Sequence, residues 1–330
     1  MKKLFSAGAC CLAVMLFVSN GAWAQTSTTA NFPNRPIKFI VPFSAGSASD
    51  ILARLIGERL TQSLGQPVLV ENRPGAGGTI ATAMVAKSPA DGHTLVVVSA
   101  GHVVNPAIYK TLPYDTLQDL SGVIPFASLP AVLVVAGSSN YRSVKDLVEQ
   151  AKKMPGQLNF VSGGIGSASH INAEKFLHNA GIKALHIPLK GAPEMGIETS
   201  AGRVDFGFMP LISATPSIRE GKLRALAVSH NQRSSVLPDV PTIAEAGEAG
   251  GVFNFWIGLL APSKTPPLVI QKLNAEIATI LKSPEMKARY ASLGAEPMEL
   301  SPAQFDAQMR LEFKELGDVM RAAGVKLDQQ

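Results

Sequence analysis

The chain is 330 residues long, 46% hydrophobic and formally charged +5, with two cysteines. The basic excess is mild and forms no tract, which argues against a nucleic-acid partner. Six histidines, no pair of them at HExxH spacing, and no GxSxG with partners in order leave neither metal catalysis nor serine hydrolysis a visible constellation.

The first 24 residues read as an export signal. Lys2 and Lys3 give the positive start, an apolar stretch runs from Leu4 to Val18, and Ala22-Trp23-Ala24 supplies the small-x-small cleavage pattern. The apolar run falls short of the roughly 20 residues that span a bilayer. Cleavage after Ala24 is therefore expected, with the mature protein in the periplasm. It would remove Cys10 and Cys11 and leave 306 residues at a charge of +3, with no thiol to pair or bind metal. Such a length buries enough apolar surface to be stable without staples and favours two domains. Residues 25–34 are polar and turn-prone, a flexible lead-in.

Beyond them, short β-type runs alternate with helical patterns. Strands are predicted at Ile37–Val41, Val68–Glu71, Thr94–Ser99, Val132–Ala136, Leu158–Val161, Val204–Phe208 and Ala225–Val228. Helices are predicted at Ser49–Leu64, Thr79–Lys87, Val144–Lys152, Ser169–Asn179 and Ile212–Glu220. This alternation predicts α/β lobes, each a mainly parallel sheet flanked by helices. From Pro266 the pattern is almost wholly helical, ending with Pro302–Ala323 and a stop at Gly324.

The sequence repeats one device. IKFIVPFSAGSASDILARLI and LNFVSGGIGSASHINAEKFL both run from an apolar strand through a Gly-Ser loop into a helix, and their loop glycines, Gly46 and Gly166, stand 120 residues apart. Glycine permits positive φ and close backbone approach. The first N–H groups of a helix lack intrahelical partners, and the helix dipole adds partial positive charge there. Together they suit a small anion. Ligands in open α/β sheets lie at the carboxyl ends of strands, where these loops are expected. Serine is also simply a good N-cap, so either loop alone reads as structural. The matched pair favours ligand binding.

Other candidates are weaker. Gly75-Ala76-Gly77-Gly78 lacks the GxGxxG spacing, no GxxxxGK[ST] occurs, and Asn72–Gly75 reads as a turn entering a helix. His170 opens the second helix, where it either touches ligand or caps. His102 follows a strand and is a candidate to line the cleft. His186 reads as packed within a strand. Asp50 at a helix start is adequately explained by stabilising free N–H groups.

The chain resembles the Bug family, the extracytoplasmic receptors of tripartite tricarboxylate transporters, from Pro36 to Lys326. The landmarks are Val41-Pro42-Phe43, Gly46 and Asp50, then Val70 through Gly78, Leu112-Pro113-Tyr114-Asp115, Gly221 through Val228, Leu237 through Thr242, Ala261-Pro262 and Thr265-Pro266. The resemblance implies two α/β lobes joined by crossing strands and closing on one ligand as a Venus flytrap. One carboxylate would be held by Phe43, Ser44, Ala45, Gly46, Ser47, Ala48, Ser49 and Asp50. The rest would meet Ser162, Gly164, Gly166, Ser167, Ala168, Ser169 and His170, with Leu189, Lys190 and Gly191 corresponding to the family's Pro-Tyr-Lys-Gly stretch. Three departures stand out. Ala45-Gly46-Ser47 replaces the usual Pro-Gly-Gly, Leu189 replaces a tyrosine, and Met209-Pro210 stands where Asp-Asn is common. Loss of that carboxylate argues against an amino-acid ligand and leaves room for a dicarboxylate with an aliphatic or aromatic middle.

The resulting expectation is a periplasmic solute-binding protein, not an enzyme, with no cofactor or metal. It would be a monomer that captures a small organic carboxylate for two membrane subunits of a tripartite tricarboxylate transporter. Residues 25–130 together with 252–330 are expected to form one lobe and residues 131–251 the other. The alternatives are a receptor subunit that signals carboxylate availability and a periplasmic hydrolase.

Overall fold

The computed structural model describes residues 31–253 and 255–322. The predicted export segment with Cys10 and Cys11, and the stop at Gly324, lie outside the described residues.

β1 (Ile37–Val41) leads into α1 (Ala48–Leu64), β2 (Val68–Asn72), α2 (Thr79–Ala86), β3 (Thr94–Ser99) and the short α3 (Asn105–Ile108). β4 (Leu120–Leu129) and β5 (Ala131–Ala136) follow, separated by Pro130 alone. Next come α4 (Val144–Lys153), β6 (Asn159–Ser162), α5 (Ala168–Ala180), β7 (Leu185–Pro188), α6 (Ala192–Ser200), β8 (Phe206–Pro210), α7 (Leu211–Arg219) and β9 (Leu223–Val228). The described residues end with β10 (Phe255–Pro262), α8 (Pro267–Lys282), α9 (Pro284–Ser292), β11 (Glu296–Pro297) and α10 (Pro302–Ala322).

The strands form two sheets, β11-β4-β10-β3-β1-β2 and β7-β6-β8-β5-β9. Both are mixed, which corrects the expectation of mainly parallel sheets. β1 pairs in parallel with β2 and β3, and β6 with β7 and β8. β10 runs antiparallel to β3 and β4, and β5 antiparallel to β8 and β9. The reason is topological. A strand of a strand–helix–strand unit ends at the cleft between the sheets, whereas β5 and β10 are the first strands after the chain arrives from the other sheet. They begin at the cleft and must run the opposite way.

Alternation places the cores. On β5, Leu133 and Val135 face a cluster with Phe160, Phe206 and Phe208, while Val132 and Val134 face Val161, Met195 and Met209 across the sheet. Each fully buried Phe or Leu there contributes ~1.5–3 kcal/mol. α1 forms because Leu52, Ile56 and Leu60 recur at helical spacing and are buried, and it stops where Gly65 takes φ +67°. The core of the first sheet also takes in Ala168 and Ile171 from the start of α5, so the two lobes pack against each other.

Candidate ligand-binding site

The two Gly-Ser loops are matched in geometry as well as sequence. Gly46 and Gly166 have φ of +82° and +80°. Ser47 (φ −67°, ψ 160°) and Ser167 (φ −67°, ψ 156°) are the N-caps of α1 and α5. The Asp50 amide donates to Ser47 Oγ and the His170 amide to Ser167 Oγ, each at 3.3 Å. The Gly46 amide donates to Asp50 Oδ2 at 2.9 Å, and the Gly166 amide to His170 Nδ1 at 3.2 Å. Asp50 and His170 thus do the same job: each side chain folds back to hold the glycine of its own loop. His170 Nδ1 is the acceptor of that bond, and its Nε2 lies 3.5 Å from Glu174 Oε1.

Asp50 is further held by Arg54 and Asn72, both at 3.0 Å. Burial pushes its carboxyl up, but the bonds from Arg54, the Gly46 amide and Asn72 outweigh that and hold it below the usual carboxylate range.

Between the loops lies a small cavity. Of the residues predicted from sequence, Phe43, Ser47, Ala48, Ser49, Ser167, Ala168, Ser169 and Gly191 line it. The others lie behind or beside it. Ala45 and Gly46 are on the exposed side of their loop, as is Lys190, whose carbonyl accepts a bond from the Ser44 amide across the cleft at 3.3 Å. Gly164 and Gly166 shape the second loop, and Gly164 lies against Gly77 of the other lobe. Leu189 and Met209 pack into the core of the second sheet. His102 is buried, stacked on Tyr114 at 6.2 Å, and burial pushes its imidazole down to about 4.

Ser162 is fully buried, and its Oγ lies 2.6 Å from His186 Nε2. This pair is no nucleophile and base. Its hydroxyl also bonds both the carbonyl and the amide of Gly164, and neither residue lines the cavity. His186 stacks on Phe160 and His170, and burial together with the neighbouring His170 pushes it down to about 3.

Sequence reasoning missed Ser99, Gly163, Ala192, Met195, Pro210 and Phe255 of the lining. Ser99 and Pro210 end β3 and β8, and Ala192 opens α6, so the strand-end rule applied to every strand would have found them. Phe255 begins β10, whose apolar run carries no period that marks a strand. No lining residue is acidic, basic or a histidine. Polarity at the cavity comes from hydroxyls and from the open N-termini of α1, α5 and α6, while Phe43, Met195, Pro210 and Phe255 form apolar wall. Among the described residues no group of His, Cys, Asp and Glu could hold a metal ion.

The lobes touch across the cleft. Ser44 Oγ donates to Glu194 Oε1 at 2.7 Å. Tyr109 Oη lies 2.9 Å from the Ala76 carbonyl in its own lobe and 3.0 Å from the Ile165 carbonyl in the other. Gly101 lies so close to the second loop that a Cβ there would stand 2.4 Å from the Gly166 carbonyl oxygen.

A family model described as the tripartite tricarboxylate transporter family receptor matches residues 52–325. Protein BugT of Bordetella pertussis is 35% identical over 314 residues, covering 94% of this chain and 96% of its own. A Pseudomonas protein encoded in the tcbD-tcbE intergenic region is 39% identical over 278 residues, 83% of each chain. Among solved structures, a Rhodopseudomonas palustris protein determined with adipate superposes with a TM-score of 0.86 at 34% identity, over 90% of this chain and all of that one. MatC from the same species, determined with bound malate, gives 0.84 at 31% identity, over 87% and 99% of the two chains. The periplasmic binding protein BugD gives 0.85 at 32%, over 90% and 100%.

Proposed function

The chain belongs to the tripartite tricarboxylate transporter family of receptors, and from that premise we propose that it captures a small dicarboxylate with an apolar middle between its two lobes. It is a solute-binding receptor of carboxylates for transport, not an enzyme. The observation that carries the dicarboxylate reading is the pair of matched loops facing one cavity from opposite sides. Each presents unpartnered amide hydrogens and the positive end of a helix dipole, so each suits one carboxylate. The apolar wall suits the carbon chain or ring between them. Relatives determined with adipate and with malate support this choice.

The lobes of this reading are residues 25–130 with 252–330, and residues 131–251. The distribution of strands supports the division, because β1 to β4, β10 and β11 share one sheet and β5 to β9 the other. The protein acts in the periplasm as a monomer after cleavage behind Ala24, and hands its ligand to two membrane subunits. A thermal-shift screen of mono-, di- and tricarboxylates, benzene dicarboxylates included, tests the assignment. An acid present at 100 times its Kd adds about 2.7 kcal/mol to the stability. Absence of a shift with every dicarboxylate overturns the reading. Uptake measured after deletion of the gene separates a transport role from signalling.

A further inference from the structure

The two loops share a backbone but not the use of their hydroxyls. In the second lobe, Ser169 Oγ accepts the Gly163 amide at 2.9 Å and lies 3.0 Å from Ser167 Oγ. Its hydroxyl is spent on holding the loop. Its counterpart 120 residues earlier, Ser49, lines the cavity with 3% exposure, and its hydroxyl has no protein partner among the described residues. Ser99 is in the same position. It ends β3 in the first lobe, is 4% exposed, lines the same cavity, and makes no side-chain capping bond to the helical turn that follows. β1 and β3 are paired parallel neighbours, with Ile40 opposite Val96, so the end of β3 where Ser99 stands is on the same side of the sheet's edge as the end of β1, from which the loop to Ser49 departs, and both serines line the one cavity. Neither Oγ is sealed within protein: both open onto the one cavity, where a bound carboxylate offers each hydroxyl an acceptor.

We propose that Ser99 and Ser49 form a hydroxyl pair that grips one carboxylate of the ligand, so that the first lobe reads its end of the molecule with side chains. The second lobe reads the other end with backbone amides, because its own serines are already engaged. At that end the α6 N-terminus contributes as well: Gly191 caps it with no side chain, and Gly191 and Ala192 line the cavity. Ser99 is thus a specificity-determining residue of the site. The proposal rests on the dicarboxylate reading above. It adds a division of labour that the repeated sequence hides, since GSAS is identical in both loops.

The test uses the full mature protein with Ser99→Ala, Ser49→Ala and Ser169→Ala, and a panel of succinate, adipate and terephthalate. Without any acid, Ser99→Ala and Ser49→Ala should melt at or above the wild-type temperature, because neither hydroxyl bonds the protein. Ser169→Ala should melt several degrees lower, because it strands the Gly163 amide. With the best-binding acid of the panel, Ser99→Ala and Ser49→Ala should each lose about tenfold or more in affinity, the effect of deleting a hydrogen bond to a charged group. If wild-type protein binds an acid of the panel and both variants bind it equally well, the hydroxyl pair is overturned and the dicarboxylate reading stands. If Ser99→Ala lowers the ligand-free melting temperature as much as Ser169→Ala, its hydroxyl is structural and the proposal fails. If wild-type protein binds none of the three, the dicarboxylate reading falls and this assignment with it.

Discussion

At the scale of single residues, the histidines behave differently from their first appearance. His102 looked like a candidate to line the cleft. Instead it is buried against Tyr114 with neither ring nitrogen hydrogen-bonded within the usual limits. Burial holds it neutral down to about 4, whereas an unfolded chain takes up the proton near 6.5. Between those values the unfolded state binds more protons, so stability falls as pH is lowered from about 6.5 to about 4. The full loss from His102 alone is on the order of 3 kcal/mol. His102→Phe keeps the ring and removes the titration, so melting temperatures across that range should flatten relative to wild type. An unchanged slope would exclude His102 as the source. Asp50 acts in a lower window. Its depressed carboxyl contributes stability that is complete above the ordinary value of 3.8 and is lost as pH falls through the lowered one.

At the scale of elements, three helices start at one cavity, and their capping differs. Ser47 and Ser167 cap α1 and α5, so replacing either with Ala should cost about 1 kcal/mol of stability in addition to any effect on ligand. Ser143 provides the control. It closes a capping box with Asp146 at the start of α4 and does not line the cavity. Ser143→Ala should lower stability to a similar extent and leave ligand affinity unchanged, as chemical denaturation and calorimetry together would show. The same helix starts favour anions and offer an ammonium group little compensation for lost hydration. A dicarboxylate should therefore bind more tightly than its monomethyl ester or the matching α-amino acid. Each lost charge-assisted contact should cost on the order of 1.5–3 kcal/mol, about ten- to a hundredfold. If the amino acid binds best in calorimetry, the acid to reconsider is Glu194, whose Oε2 is buried without a partner while its Oε1 accepts from Ser44.

At the scale of the whole molecule, the lobes meet through backbone as much as through side chains. Gly101 and Gly77 of the first lobe lie against the Ile165–Ala168 segment of the second. Gly101 has no left-handed backbone to protect, so Gly101→Ala should leave each lobe folded. Its methyl group would instead have to displace Gly166 and Ser167, wedging the cleft open. We expect ligand affinity to fall by at least about tenfold, a change of ~1.4 kcal/mol, with ligand-free stability nearly unchanged. X-ray scattering should show wild-type protein contracting on binding and Gly101→Ala remaining expanded. Identical contraction in both would mean that the contact yields and does not gate closure.

Much of this protein is written locally in its chain. The strand–loop–helix units around Gly46 and Gly166, their caps and the anion-friendly character of their loops follow from short-range rules: which residues tolerate positive φ, which oxygens cap amides, and how apolar residues recur. The predicted strands and helices there match the observed ones to within two residues. What tertiary structure decided is of another kind. β4 and β10 are buried along nearly their whole lengths, so alternation could not mark them, and their direction depends on where the chain re-enters each sheet. α6 follows Gly191 with no capping side chain; Pro193 and Glu194 mark its first turn, but only the fold brings its Ala192 and Met195 to the cavity. Identical serines were given different work, since whether a hydroxyl is spent on its own loop or left for a ligand depends on amides brought near by folding: the Gly163 amide donates to Ser169, and among the described residues no amide donates to Ser49. Local sequence fixes what a loop can offer; only the packing of one lobe against the other fixes what remains to be offered.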